Sequence, residues 1–237
     1  MRPHPLYLLV IALAAVAACG KKEAPKRTAA ASTPPAPPRA AGPAEYTVIV
    51  KSLWTKRNFP LEYPTNDARF SGLIGASHNA RYAIFTVGRK PTRGLERLSE
   101  EGKHSPLNDE IHTAIDAGNA LEMFETGSLK NFTDSMVTTV RVDPAHPLIS
   151  VVAMIQPSPD WFAGASGVSL SEKGGWVKRR TLTLVAYDAG ADAGTTYTSA
   201  HRPRNPTRPT TRSSNRHFLS HGKARPVATL TFIRRTP

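Results

Sequence analysis

Tyr46-Thr47-Val48-Ile49-Val50-Lys51-Ser52-Leu53 decides the class of this fold. The stretch is rich in β-branched residues, and every second side chain returns to one face, the two-residue period of a half-buried strand. Similar text recurs at Arg81 to Val87, Met136 to Val142, Leu148 to Ile155, Thr181 to Tyr187 and Val227 to Ile233. The pieces are short and bounded by Gly, Pro, Asn or Asp, as in an all-β sandwich. Two inserts read as helices. Leu95 to Glu101 ends at Gly102, a left-handed cap. The second begins near Ser105-Pro106, with Pro at the first helical position, and runs through Ile111 and Ile115 to about Asp116 before Gly118. Trp54, Trp161, Trp176, Phe70 and Phe85 read as core and loop anchors, and no internal repeat is visible.

Two acidic turns follow strand-like text: Pro157-Ser158-Pro159-Asp160-Trp161-Phe162 and Asp188-Ala189-Gly190-Ala191-Asp192. Brought together, their three Asp side chains would repel one another, and a hard cation among the oxygens would remove that conflict, so calcium is the first candidate. Neither element contains His or Cys, which makes zinc or copper a poor match there. The competing explanation is that these Asp residues cap turns, as Asp beside Gly often does.

The N-terminus has the form of an export leader. Arg2 precedes an apolar run from Leu6 to Ala18, too short to span a bilayer but suited to a secretory signal. Val16-Ala17-Ala18-Cys19-Gly20 resembles a bacterial lipobox, which makes residues 1–18 the signal peptide and Cys19 the lipidated first residue. Cys19 is the single cysteine of the chain, so the exported domain is held without a disulfide. Gly20 is not a retention Asp, which favours an outer-membrane destination, facing periplasm or exterior. Residues 19–44 then form a tether: from residue 21 onward it contains six Pro and eight Ala, and Pro34-Pro35-Ala36-Pro37-Pro38 favours extended polyproline conformation. Residues 45–237 remain, enough for one domain with a substantial core. Asn131-Phe132-Thr133 fits a glycosylation sequon, which is uninformative in a bacterial lipoprotein.

The formal net charge of +13 is unevenly spread. Residues 45–192 carry sixteen Lys/Arg against seventeen acids, while residues 193–237 carry nine Lys/Arg and no acid. Arg202, Arg204, Arg208, Arg212 and Arg216 recur amid Pro, Thr, Ser and Asn, a long basic loop spanning 201–226. Such a loop attracts anionic polysaccharide or lipid head groups, or is simply solvated. No helix-turn-helix or aromatic ribonucleoprotein motif accompanies the charge, so nucleic acid is not the expected partner.

From about Tyr46 to Arg234 the chain resembles a spondin domain, the N-terminal module of F-spondin and mindin. Carrying the resemblance are Phe70-Ser71-Gly72-Leu73-Ile74-Gly75-Ala76-Ser77-His78-Asn79, Tyr82 to Gly88, Gly94 to Gly102, and above all Pro157 to Gly164 and Asp188 to Gly194. It implies a C2-like antiparallel β-sandwich of about eight strands, with one or two short helical inserts and calcium held between loops at one end. The family's metal-binding aspartates fall on Asp160, Asp188 and Asp192. Three carboxylates fall short of calcium's six to eight oxygens, so backbone carbonyls and water would complete the shell. Two departures stand out: Ser171 occupies text where the animal family carries a cysteine, and Ala191 replaces the usual Thr. The missing bridge removes a constraint of a few kcal/mol, which makes a bound ion more important.

The expectation is therefore a non-enzymatic, membrane-tethered, calcium-binding domain that meets an extracellular or envelope protein or glycan. The alternatives are a metal-dependent hydrolase of envelope or extracellular polymers, using Asp160 or His78, and an anionic glycan binder using Arg202 to Arg216. Against the hydrolase stand the lack of a Gly-x-Ser-x-Gly elbow and of His-Glu-x-x-His. His78 is read as a structural hydrogen-bonding residue.

Overall fold

The computed structural model describes residues 42–128 and 135–236. The signal segment, Cys19, the tether up to residue 41 and the 131–133 sequon lie outside the described residues. The elements begin with β1 (Ala44–Ser52), β2 (Arg69–Phe70), β3 (Ile74–His78), α1 (Arg93–Glu101) and α2 (Leu107–Asp116). Then come β4 (Ala120–Glu125), β5 (Ser135–Val142), β6 (Leu148–Gln156), β7 (Trp161–Ser169), β8 (Ser171–Glu172) and β9 (Gly175–Trp176). The last are β10 (Arg179–Asp188), β11 (Thr211–Arg212), β12 (Leu219–Ser220), β13 (Lys223–Ala224) and β14 (Ala228–Arg234).

Eight strands form the main antiparallel sheet in the order β4-β3-β6-β7-β10-β14-β1-β5, with β2 and β11 added beside β6 and β10. β1 behaves as its alternation predicts: Ala44, Tyr46, Val48, Val50 and Ser52 are buried while Lys51 is exposed. It pairs with β14 on one side (Val48 opposite Phe232) and with β5 on the other (Val48 opposite Thr138). The two ends of the order meet, with the Arg141 amide of β5 donating to the Glu122 carboxylate of β4. The sheet thus folds over a core that includes Tyr46, Val48, Val140, Val151, Trp161, Leu230 and Phe232. This is the expected all-β sandwich, helical inserts included.

β6 is buried on both faces, and its text Leu-Ile-Ser-Val-Val-Ala-Met-Ile-Gln is accordingly a continuous apolar run rather than an alternating one. Ile149, Val151, Ala153 and Ile155 enter the main core, whereas Val152 joins a second cluster on the outer face. That cluster is roofed by Leu95 and Leu98 of α1 and by Leu107 and Ile111 of α2. Burying each such side chain contributes about 1.5–3 kcal/mol. Four of them rival the net stability of a domain, about 5–15 kcal/mol, so the helices are integral to the fold.

α1 starts where Thr92 Oγ1 accepts the Leu95 N–H and stops at Gly102, whose φ is 68°. Its start is also tied to α2, because Glu110 accepts the Gly94 N–H at 2.7 Å and the Thr92 hydroxyl at 2.6 Å. Pro106 stands one residue ahead of α2, in the cap position rather than at the first helical one.

Arg81 to Val87 is a loop, not a strand. Its two deeply buried side chains, Ile84 and Phe85, are adjacent instead of alternating. They dive together under the helical layer, where Phe85 meets Phe162 and Tyr187 edge-on, each at 5.0 Å. The apolar run belongs to the outer cluster and needs no ladder. His78 is structural, as expected. Its Nδ1 lies 2.8 Å from the Asn79 carbonyl and its Nε2 2.7 Å from Ser150 Oγ. With Nδ1–H donating, the Ser150 hydroxyl donates to Nε2, and burial holds the ring's pKa below the usual histidine value.

Candidate metal centre

The two acidic turns meet because β7 and β10 are neighbours: Asp188 stands opposite Trp161, and the Ala189 N–H donates to the Asp160 carbonyl at 3.1 Å. Upstream, Ser158 Oγ accepts the Trp161 N–H at 3.0 Å and closes the Pro-rich turn that delivers Asp160. Asp160 is fully buried. Its Oδ2 accepts two backbone amides of the opposite turn, Ala191 N at 2.7 Å and Asp192 N at 3.0 Å. Its Oδ1 is buried and has no hydrogen-bond partner. Burial, reinforced by the charge of Asp188, pushes the carboxyl up to about 7. Asp188 is half-buried, accepts the Gly190 N–H at 2.9 Å, and is also raised, chiefly by burial. An orphaned carboxylate oxygen beside a second acid in the same buried site is a donor set that fits a hard cation.

Asp192 is buried too, and both its carboxylate oxygens are engaged. Its Oδ1 accepts the Gly194 N–H, and its Oδ2 accepts the Arg202 N–H at 2.6 Å and lies 3.0 Å from His201 Nδ1. The charges of Asp188 and Asp192 both act to raise Asp160, and that of Asp192 acts to raise Asp188, so the three carboxylates lie in one electrostatic site. Among the described residues, the tightest acid-histidine group is Glu100, Asp192 and His201, whose ligand atoms all lie within 4.8 Å of one another. Sequence reasoning missed Glu100 and His201, since one stands among other acids in helix text and the other opens the basic run. Burial raises Glu100 as well.

The basic segment is packed against the acidic turn rather than freely solvated. Arg204 N donates to Ala191 O, Arg208 N to Gly190 O, and Ala193 N to Arg202 O. Thr210, Ser213, His217 and Phe218 are buried within it. Arg202, Arg208, Arg212 and Arg216 keep exposed positions, while Arg204 is half-buried with Nε on the Asp192 carbonyl at 2.8 Å. Arg216 pairs with Glu62 at 3.0 Å, and the buried His217 donates to the same carboxylate.

Two glycines let these three segments touch. Gly190 has φ of +84°, and a Cβ there would sit 2.3 Å from the Arg208 carbonyl oxygen. At Gly194 a Cβ would lie 2.6 Å from Cγ of Pro159, so the turns need a hydrogen there. Gly194→Ala is expected to destabilise the protein by about 1–3 kcal/mol, through overpacking against the rigid Pro ring. Urea unfolding checks it, and an unchanged midpoint would show that the turns are not in contact.

The family model described as Spondin_N matches residues 44–224. The chain belongs to the Spondin_N family. It is 30% identical to Spondin-2 of Rattus norvegicus over 203 residues, which is 81% of this chain and 62% of that protein. Spondin-2 of Homo sapiens is 30% identical over the same share of this chain and 61% of its own length. Spondin-1 of Rattus norvegicus is 30% identical over 172 residues, 70% of this chain and 21% of that protein. The chain therefore spans less than two thirds of these relatives. In this spondin domain both acidic turns fall inside the matched span, whereas β14 lies beyond it and is still central to the sheet.

Proposed function

We propose that this spondin domain is a calcium-stabilised binding module, carried on a lipid anchor at Cys19 and used for adhesion or binding in the envelope or outside it. The observation that carries the reading is the buried, partnerless Oδ1 of Asp160 beside Asp188. Asp160 and Asp188 would hold the ion, with Asp192 at its flank and backbone carbonyls and water completing the shell. The ion's chemistry is charge compensation: it neutralises buried carboxylates and locks two turns and the basic segment into one edge. Calorimetric titration is expected to count one calcium per chain, lost in Asp160→Asn. A chain that binds no calcium would sink the reading.

The tether has its own check. Incorporation of labelled fatty acid is expected in the expressed full chain and absent in Cys19→Ser. No described helix is long and apolar enough to cross a membrane. The hydrolase alternative draws little support, because His78 is buried and engaged at both ring nitrogens.

A second reading rests on the exposed guanidinium groups of Arg202, Arg208, Arg212 and Arg216, on a segment held against the acidic turn. An anionic glycan of the envelope is the ligand they suit. Retention on a sulfated-polysaccharide column is expected to vanish when these four are replaced by Gln, and unchanged retention would reject it.

A further inference from the structure

We propose that the end of the domain where β1 begins is a basic platform that docks on an anionic phospholipid leaflet, leaving the acidic turns facing away from the membrane. The inference rests on the lipid anchor at Cys19 for delivery, and on strand register for the platform itself. Glu45 of β1 stands opposite Arg141 of β5, Tyr46 opposite Arg234 of β14, and Arg179 of β10 opposite Ile233. The antiparallel pairing thus gathers Arg141, Lys178, Arg179, Arg234 and Arg235 around the start of β1, all of them exposed. The acids at this end are already engaged. Glu122 meets Arg141 at 3.4 Å, Glu45 meets Arg235 at 3.2 Å, Glu172 meets Arg180 at 3.4 Å, and Asp143 lies 2.9 Å from His146. Lys178, Arg179 and Arg234 have no ion pair among the described residues.

β10 runs from this platform to the metal turns, Arg179 at one end and Asp188 at the other. Its length sets the two about 30 Å apart. The first residues of β1 share a cleft of about 270 Å³ with Glu45, Arg234 and Arg235, room enough for a lipid phosphodiester. Trp176 marks the same end. Its indole N–H donates to the Gly42 carbonyl at 2.7 Å, and the ring is half-buried. An amphipathic indole set among cations suits the headgroup layer of a bilayer. Each Lys or Arg near an anionic surface strengthens binding about fivefold, so the three unpaired cations together supply about a hundredfold. That attraction is weak for a free protein. It suffices for one that a flexible tether holds near the surface at about millimolar effective concentration. The tether joins the domain at the platform, so this end reaches the leaflet before the arginines of the 201–226 segment, which lie along the acidic turn.

The test is energy transfer from tryptophan to dansyl-labelled headgroups, with the full expressed chain on vesicles of phosphatidylcholine alone or mixed with phosphatidylglycerol. Transfer is expected to rise with phosphatidylglycerol and to fall back in high salt, which screens the attraction. Most of the gain should vanish in Trp176→Phe, because Trp161 stands opposite Asp188 at the metal end and Trp54 packs beside it through Tyr197. Combining Lys178→Gln, Arg179→Gln and Arg234→Gln is expected to weaken docking at least about twentyfold, whereas Arg179→Lys with Arg234→Lys holds it within about twofold. Replacing Arg202, Arg208, Arg212 and Arg216 by Gln should leave the gain in place. Equal transfer on both lipids would overturn the proposal. So would a gain that survives the triple Gln variant or Trp176→Phe, or one lost with the four arginines of the 201–226 segment. A chain that fails to float with neutral vesicles would reject the lipid anchor alone. Flotation with phosphatidylglycerol vesicles, compared across the same variants, would then decide the platform.

Discussion

Adding millimolar calcium to the metal-free spondin domain is expected to raise its Tm by about 5–10 °C, and Asp188→Asn to remove most of that gain. An ion that binds only the native state, present at about a hundredfold its Kd, adds about 2.7 kcal/mol by mass action. For a domain of this size each kcal/mol moves Tm by about 2–4 °C. Asp188 is the informative position because its Asn counterpart can still accept the Gly190 N–H, so the turn survives while the charge is lost. Differential scanning calorimetry with and without chelator decides it. A wild-type shift below a degree, or an equal shift in Asp188→Asn, would remove calcium from the account.

In chelator, the same domain is expected to lose stability as pH rises from about 4 to about 7, the reverse of ordinary carboxylate behaviour. Asp160 is raised from 3.8 to about 7 in the folded protein. Between those values the native state holds a proton that the unfolded chain has released, so folding takes up protons and stability falls with pH. The difference amounts to about 4 kcal/mol. Asp188, raised by the same burial, adds in the same direction. Calcium should flatten the slope by replacing the proton as counter-charge, and Asp160→Asn should flatten it in chelator. Urea titrations at intervals across this window check the sign. Stability that climbs with pH through it would mean that Asp160 is stabilised as the anion without any metal.

Much of the fold was legible because β-branched density marks the strands at the centre of the order and along the β1–β5 edge. β1, β5, β6, β10 and β14 stand within two residues of their expected bounds. Two of the strands that escaped notice, β3 and β7, carry small residues. Ile74-Gly75-Ala76-Ser77-His78 and Trp161-Phe162-Ala163-Gly164-Ala165 are packed on both faces, between the main core and the helical layer, where bulk is excluded and propensity is weak. Arg81 to Val87 failed in the other direction, since an apolar run says that it is buried but not whether it pairs. The acidic turns were legible from Asp set among Gly and Pro. Which way Asp192 points was not, because its partners at Glu100, His201 and Arg202 are assembled only by tertiary packing. Nor does composition reveal that the basic run lies along the acidic turn. Counting charges separates the two, whereas the backbone hydrogen bonds of Arg204 and Arg208 join them.

β14 stands between β10 and β1, and among the described strands its ladder is the one that joins the β1–β5 pair to the rest of the order. It is also the last of the described strands to leave a ribosome. A chain threaded N-terminus first must therefore wait with its first strand unpaired on one side for nearly the whole domain to emerge. Such long-range closure makes folding slow, and it leaves the Val48 and Val50 edge open to mispairing until β14 arrives. The domain is built to close late, when its last strand arrives.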